Sequence, residues 1–195
     1  TTNGAVASVI EAVQCGLPLA RAEYLDSEAI RAVNLAFGTD YPQAETLFLE
    51  FHGAPEDVKR QAERFGAIAA DNGGGDFKWA LESEARSQLW KARHNAGFAA
   101  AAMRPGARLW STDVCVPISK LAACIDATKA DLAKAPFPAI VLGHVGDGNF
   151  HAILLLDPNS IAEMDAANRF NDVLVARAIA MDGTCTGEHG IGLGK

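Results

Sequence analysis

Ala139-Ile140-Val141-Leu142-Gly143-His144-Val145-Gly146-Asp147-Gly148-Asn149-Phe150-His151-Ala152-Ile153-Leu154-Leu155-Leu156 consists of two apolar runs joined by a segment centred on Asp-Gly. Runs of β-type residues on either side of such a dipeptide read as a β-hairpin. With Asp147 and Gly148 as the two loop residues of a type I′ turn, His144 falls directly opposite His151. Directly opposed residues share a face, with Cβ atoms roughly 4.5–5.5 Å apart. At that spacing two imidazoles can hold one metal ion, or they can serve as hydrogen-bonded sheet histidines. The hairpin alone leaves both readings open.

On either side of the hairpin the pattern turns helical. Pro136 and Pro138 precede it, and Asp157-Pro158-Asn159-Ser160 opens a long helix to about Met181. Cys185 begins a glycine-rich tail that runs to Lys195. Upstream, residues 108–116 read as one strand ended by Pro117, after which Ile118-Ser119-Lys120 opens a helix to about Lys134. Residues 82–102 read as one long helix broken by Pro105-Gly106, and 77–81 as a short strand. Asn72-Gly73-Gly74-Gly75-Asp76 reads as a connecting loop, because neither G-x-x-x-x-G-K-[ST] nor G-x-G-x-x-G follows it. Pro55-Glu56-Asp57 suits the first turn of a helix to about Asp71, where the missing N–H of proline costs nothing. Residues 46–52 read as a strand closed by Gly53, 25–37 as a helix with early acidic residues, and 5–15 as a short apolar helix ended by Gly16 and Pro18. Helices interleaved with four or five strands, two of them an antiparallel hairpin, give an α+β fold: a ferredoxin-like antiparallel sheet covered by helices.

The 195 residues are 49% hydrophobic and 21% charged, enough to bury a real core. A formal net charge of −7 argues against a nucleic-acid backbone as the main partner, while leaving room for a local basic pocket. Cys15, Cys115, Cys124 and Cys185 form no C-x-x-C pair, so they are expected to be reduced thiols packed in the core, in a cytosolic-type compartment. Cys185 stands out for lying close to Glu188. No apolar run approaches the roughly 20 residues that span a bilayer. The chain starts at Thr1 without an initiator Met and stops just after a glycine-rich motif, so both ends are expected to be cuts through a longer protein.

The second notable stretch is Thr186-Gly187-Glu188-His189-Gly190-Ile191-Gly192-Leu193-Gly194. Its glycines let the backbone approach a ligand closely. Glu188 can ligate a metal, and His189 can act as acid or base near neutral pH. With the hairpin, His144, His151 and Glu188 form a two-histidine, one-carboxylate set, the ligand mix of zinc, manganese or iron(II) with open positions. Spacing alone does not bring the tail back to the hairpin. Arg93, in a Trp-x-x-Arg helix pattern, can grip a carboxylate with two parallel hydrogen bonds, or be a solvated helix arginine. His52 and His94 are expected to be structural, and Trp79, Trp90 and Trp110 to lie in the core.

The stretches Gly143 to His151 and Gly187-Glu188-His189-Gly190-Ile191-Gly192 together resemble the two signatures of FAD-linked D-2-hydroxyacid dehydrogenases. That group, within the vanillyl-alcohol-oxidase type of flavoproteins, includes D-lactate dehydrogenase, glycolate oxidase and D-2-hydroxyglutarate dehydrogenase. Leu89-Trp90-x-x-Arg93 and Thr112-Asp113-Val114-x-Val116-Pro117 match its pattern in the same order. The resemblance covers the whole chain but only the C-terminal part of such an enzyme. It implies that residues 1–195 are the substrate, or cap, domain (the FAD-linked oxidase C-terminal domain), with an N-terminal FAD-binding domain outside this chain. It implies that FAD is bound mainly by that other domain, and that His144, His151 and Glu188 hold a divalent Zn, Mn or Fe. His189 would be the catalytic base, Arg93 would grip the substrate carboxylate, and Asn149 would sit near the substrate. The implied reaction is oxidation of a D-2-hydroxy acid to the 2-oxo acid, with the isolated domain inactive alone. The 2-hydroxyglutarate branch carries a lysine two residues before the strand aspartate, where this chain has Ser111, which favours a lactate- or glycolate-like acid. The implied partners are that acid, the FAD domain of the same protein and an unidentified electron acceptor, with a homodimer left open. The implied location is cytoplasmic, peripheral to a membrane only through the electron acceptor. The alternatives are a stand-alone metal-dependent hydrolase using the same three ligands and a non-catalytic binding module on the same fold.

Overall fold

In the computed structural model, residues 1–75 and 77–190 are described. Asp76 of the glycine loop, and Ile191, Gly192, Leu193, Gly194 and Lys195 at the end of the tail motif, lie outside the described residues. Helix α1 (Thr2–Gln14) starts under a cap from the Thr1 hydroxyl, which accepts from Gly4 N at 3.1 Å. Next come strand β1 (Leu19–Leu25), helix α2 (Ser27–Phe37), strand β2 (Thr46–Phe51) and helix α3 (Pro55–Asp71). Helices α4 (Ser83–His94) and α5 (Ala96–Ala99) lead into a 3-10 turn (Ala100–Met103). Strands β3 (Arg108–Ser111) and β4 (Val114–Cys115), helix α6 (Ile118–Leu132), the hairpin strands β5 (Ala139–His144) and β6 (Asn149–Leu156), and helix α7 (Ile161–Ala180) complete the order.

The six strands among the described residues all pair antiparallel, in the order β2-β1-β5-β6-β3, with β4 also on β6. The α+β antiparallel sheet covered by helices is therefore as the sequence predicts. Successive strand residues point to opposite faces. Tyr24, Val141, Phe150, Ala152, Leu154 and Leu156 meet α1, α6 and α7 on one face. Leu25, Ile140, Leu142, Ile153 and Leu155 meet α2 and α5 on the other. Every residue of β6 is buried, which explains its nearly unbroken apolar run. Full burial of each Leu or Phe there stabilises the fold by about 1.5–3 kcal/mol.

Several local expectations give way. The hairpin loop is four residues, Val145 to Gly148, not two. Asp147 N donates to His144 O at 3.0 Å, and Gly148 takes φ +78, a left-handed geometry that favours glycine. His144 pairs with Asn149 and His151 with Leu142, two residues from the expected register. Residues 19–24, which the sequence leaves unassigned, form β1, an interior strand, together with Leu25, which the sequence pattern assigns to the helix; α2 starts only after Asp26. Residues 77–81 are irregular rather than a strand, since among the described residues no ladder partner flanks them, and Phe77 packs on Phe65 of α3 at 5.9 Å. The predicted helix over 82–102 breaks at Asn95, whose Nδ2 donates to Lys91 O at 2.8 Å. The predicted strand over 108–116 is split at Thr112-Asp113. The four cysteines are free, but only Cys124 is buried; Cys15 and Cys185 are exposed because they sit on a helix end and on the tail. Trp79 is also exposed, on the irregular 77–81 segment, rather than in the core.

Candidate metal and catalytic site

Because the register slips by two residues, a full side-chain period, His144 and His151 remain on the same face of the hairpin. They are diagonal rather than opposed neighbours, with ring centroids 6.0 Å apart and planes at 87°. The strand break beside them has a physical cause. Thr112 N donates to Ala152 O at 2.9 Å, as a ladder would, but Thr112 O accepts from His151 Nδ1 at 3.0 Å instead. The Thr112 hydroxyl takes over the lost ladder bond, accepting from Ala152 N at 2.9 Å. A carbonyl can only accept, so His151 carries its proton on Nδ1 and keeps the lone pair on Nε2. Burial lowers the pKa of His151, only partly offset by the Thr112 carbonyl, so the ring favours the neutral form a metal ligand needs.

The tail does fold back onto the hairpin. Thr184 N donates to Cys115 O at 2.8 Å, forming a bridge to β4. Beyond it, the buried carboxylate of Asp113 collects Thr186 Oγ1 at 2.8 Å, Glu188 N at 3.0 Å, His189 N at 2.9 Å and Asn149 Nδ2 at 2.9 Å. Burial alone would raise the Asp113 pKa; these donors outweigh it and hold the group well below the usual carboxylate range. Gly187 passes so close to Asn149 that a Cβ there would lie 1.7 Å from Nδ2.

Glu188 Oε1 consequently lies 3.5 Å from His144 Nε2, 3.2 Å from His151 Nε2 and 3.4 Å from His189 Nε2. Among the described residues, two groups gather ligand-type atoms within 4.8 Å of one another: His144, His151 and Glu188, and Asp113, His151 and His189. Asp113 is engaged by four donors, which suits it to scaffolding rather than ligation. The first set presents two imidazole nitrogens and a carboxylate oxygen, donors that fit a divalent cation with positions left open. The buried Oδ1 of Asn149 has no partner among the described residues. A buried acceptor left so costs about 1–3 kcal/mol, which makes it available to a ligand hydroxyl or water.

The structure thus brings together His144, His151, Glu188, His189 and Asn149. Arg93 joins them indirectly. Its Nη2 donates to Glu23 Oε2 at 2.6 Å, and Glu23 Oε1 meets His144 Nδ1 at 2.8 Å. The hydrogen bond with Glu23 raises the pKa of His144 despite partial burial. Burial opposes ionisation of Glu23, but His144 and the Arg93 charge outweigh it and lower its pKa. His94 stacks on Trp90 at 5.7 Å and His52 pairs with Glu50 at 3.1 Å, both away from this cluster. Sequence reasoning missed Glu23 and the scaffold role of Asp113. The signal for Glu23 was slight: Arg21 and Glu23 alternate with Ala22 and Tyr24, a strand period on which Glu23 is buried while Arg21 is half exposed.

Residues 1–195 match the family described as FAD linked oxidases, C-terminal domain. A protein of Danio rerio named probable mitochondrial D-lactate dehydrogenase is 51% identical over 195 residues, all of this chain and 39% of that protein. A mitochondrial D-lactate dehydrogenase [cytochrome] of Arabidopsis thaliana is 42% identical over all of this chain and 34% of its own length. The glycolate oxidase subunit GlcD of Bacillus subtilis is 28% identical over 97% of this chain and 40% of that protein. The chain therefore spans two fifths or less of the length of these relatives.

Proposed function

Because this chain belongs to the family of FAD-linked oxidase C-terminal domains, we propose that it is the substrate domain of an oxidoreductase acting on a small D-2-hydroxy acid. The observation that carries this reading is the convergence of three imidazole Nε2 atoms on Glu188 Oε1, with the tail pinned by Asp113. His144 Nε2, His151 Nε2 and Glu188 would hold a divalent metal, and FAD would be held by a separate domain of the same protein. When bound, the metal supplies Lewis acidity at the substrate hydroxyl and the flavin supplies the acceptor for hydride. His189, half exposed beside Glu188, takes the hydroxyl proton on Nε2. Asn149 Oδ1 orients the hydroxyl or an ordered water. Arg93 supplies positive charge for the substrate carboxylate while tied to Glu23. Ser111 puts no charge at its position on β3, which favours a lactate- or glycolate-like acid over a dicarboxylate.

The relatives named above are dehydrogenases and an oxidase, which favours this reading over a hydrolase or a non-catalytic module. Four free thiols suit a reducing compartment, and no helix among the described residues is long and apolar enough to cross a membrane. We read the location as cytoplasmic, with the mitochondrion, named for two relatives, as the competing location that fractionation would decide. The functional test is flavin reduction in the full-length protein under D-lactate, glycolate and D-2-hydroxyglutarate. His189→Ala should slow it by about 10²–10⁴-fold, the usual weight of a general base. An unchanged rate would remove His189 from the role.

A further inference from the structure

We infer that Glu23 is the positioning residue that decides which nitrogen His144 offers to the metal, and that it does so because Arg93 engages its second oxygen. The inference rests on the metal reading above and adds a residue to it. Glu23 stands on β1 in register with His144 on β5. Its side chain is 10% exposed, and both oxygens are in use: Oε1 at 2.8 Å from His144 Nδ1, Oε2 at 2.6 Å from Arg93 Nη2. Arg93, from α4, is itself buried, and a guanidinium can only donate. Its Nε has no partner among the described residues, so the bond to Glu23 anchors this guanidinium.

These facts constrain the imidazole. An ionised carboxylate only accepts, so His144 must carry its proton on Nδ1. In the neutral ring Nε2 then keeps a lone pair, on the side where Glu188 Oε1 lies at 3.5 Å. Outer partners of this kind fix the ring orientation and tautomer of metal-binding histidines. A glutamine at this position has nearly the same shape but only one acceptor oxygen. Arg93 would claim that oxygen, because amide N–H groups cannot face a guanidinium. The amide NH2 would then face His144 Nδ1, which must accept, and the proton would move to Nε2. A protonated Nε2 cannot ligate a metal. Substitution by aspartate keeps two acceptors and only shortens the reach.

The test uses this chain without metal, labelled with ¹⁵N in its histidines. Long-range proton–nitrogen spectra should show His144 as the Nδ1–H tautomer in the wild type and in Glu23→Asp, and as the Nε2–H tautomer in Glu23→Gln. Titration with zinc ion alone should then show affinity falling about 10–100-fold in Glu23→Gln, with most of it recovered in Glu23→Asp. An unchanged tautomer in Glu23→Gln would overturn the inference. So would wild-type zinc affinity in Glu23→Gln alongside loss of zinc in His144→Ala, a result that leaves the metal reading standing. Full zinc binding by His144→Ala would instead refute the metal reading, and this inference with it.

Discussion

Asp113 converts a loose glycine-rich tail into half of a site. One buried carboxylate accepts from the backbone at Glu188 and His189 and from the side chains of Thr186 and Asn149. Hydrogen bonds to a charged group are each worth about 1.5–3 kcal/mol, so these contacts outweigh the cost of ordering a few glycine-flanked residues. Asp113→Ala should therefore expose the amides of Glu188 and His189 to rapid hydrogen exchange while the hairpin amides stay protected. Retained protection in the tail would refute the anchoring role. Thr112 makes a subtler trade, giving its carbonyl to His151 and its hydroxyl to Ala152 N. Thr112→Val keeps the shape but leaves that buried N–H unpaired, so denaturant unfolding should show a loss of about 1–3 kcal/mol. Neither role was legible in the sequence. Thr112 and Asp113 look like interior strand residues until the tail is seen to return to them.

Among the elements, α2 carries a built-in conflict at its start. Asp26 caps the helix by accepting from Ala29 N at 2.7 Å, yet it is 3% exposed. Burial pushes its pKa up to about 7, against the pull of the cap bonds and Lys129. With the folded value above the ordinary carboxylate value of about 3.9, the folded state binds the extra proton between the two. Its contribution to stability is therefore largest below about pH 4 and is lost as the pH rises through about 7. Asparagine caps as well as aspartate but carries no charge. Asp26→Asn should raise the melting temperature at pH 8 and flatten the pH dependence between 4 and 7; an unchanged profile would contradict this. The elements themselves were mostly legible, since hydrophobic period and Pro, Gly and Asx signals mark α3, α6, α7 and the hairpin. The strand β1 was not. Its buried run is Ala22 to Leu25 with the charged Glu23 inside it, and a site strand carries charge where a core strand carries apolar residues. The exact register of the hairpin was also hidden, because Val145-Gly146-Asp147-Gly148 suits a four-residue loop as well as a two-residue turn.

For the whole molecule, the sheet sets one end of the hairpin against β1, α4, Thr112-Asp113 and the returning tail, so five separated segments meet at His144 and His151. The class of fold and three proposed ligands could be read from the sequence; their meeting could not, because it depends on long-range contacts such as the bridge between Cys115 and Thr184. A ligand that binds only the folded state stabilises it by mass action, about 2.7 kcal/mol at a hundred times its dissociation constant. Zinc or manganese at that excess should therefore raise the melting temperature of the wild-type chain and leave that of a His144→Ala, His151→Ala double variant unmoved. The most direct test is anomalous diffraction from crystals of the chain grown with zinc or manganese. The account predicts one ion per chain, bound by His144 Nε2, His151 Nε2 and Glu188. An ion bound elsewhere, or none at this cluster under saturating metal, would contradict it.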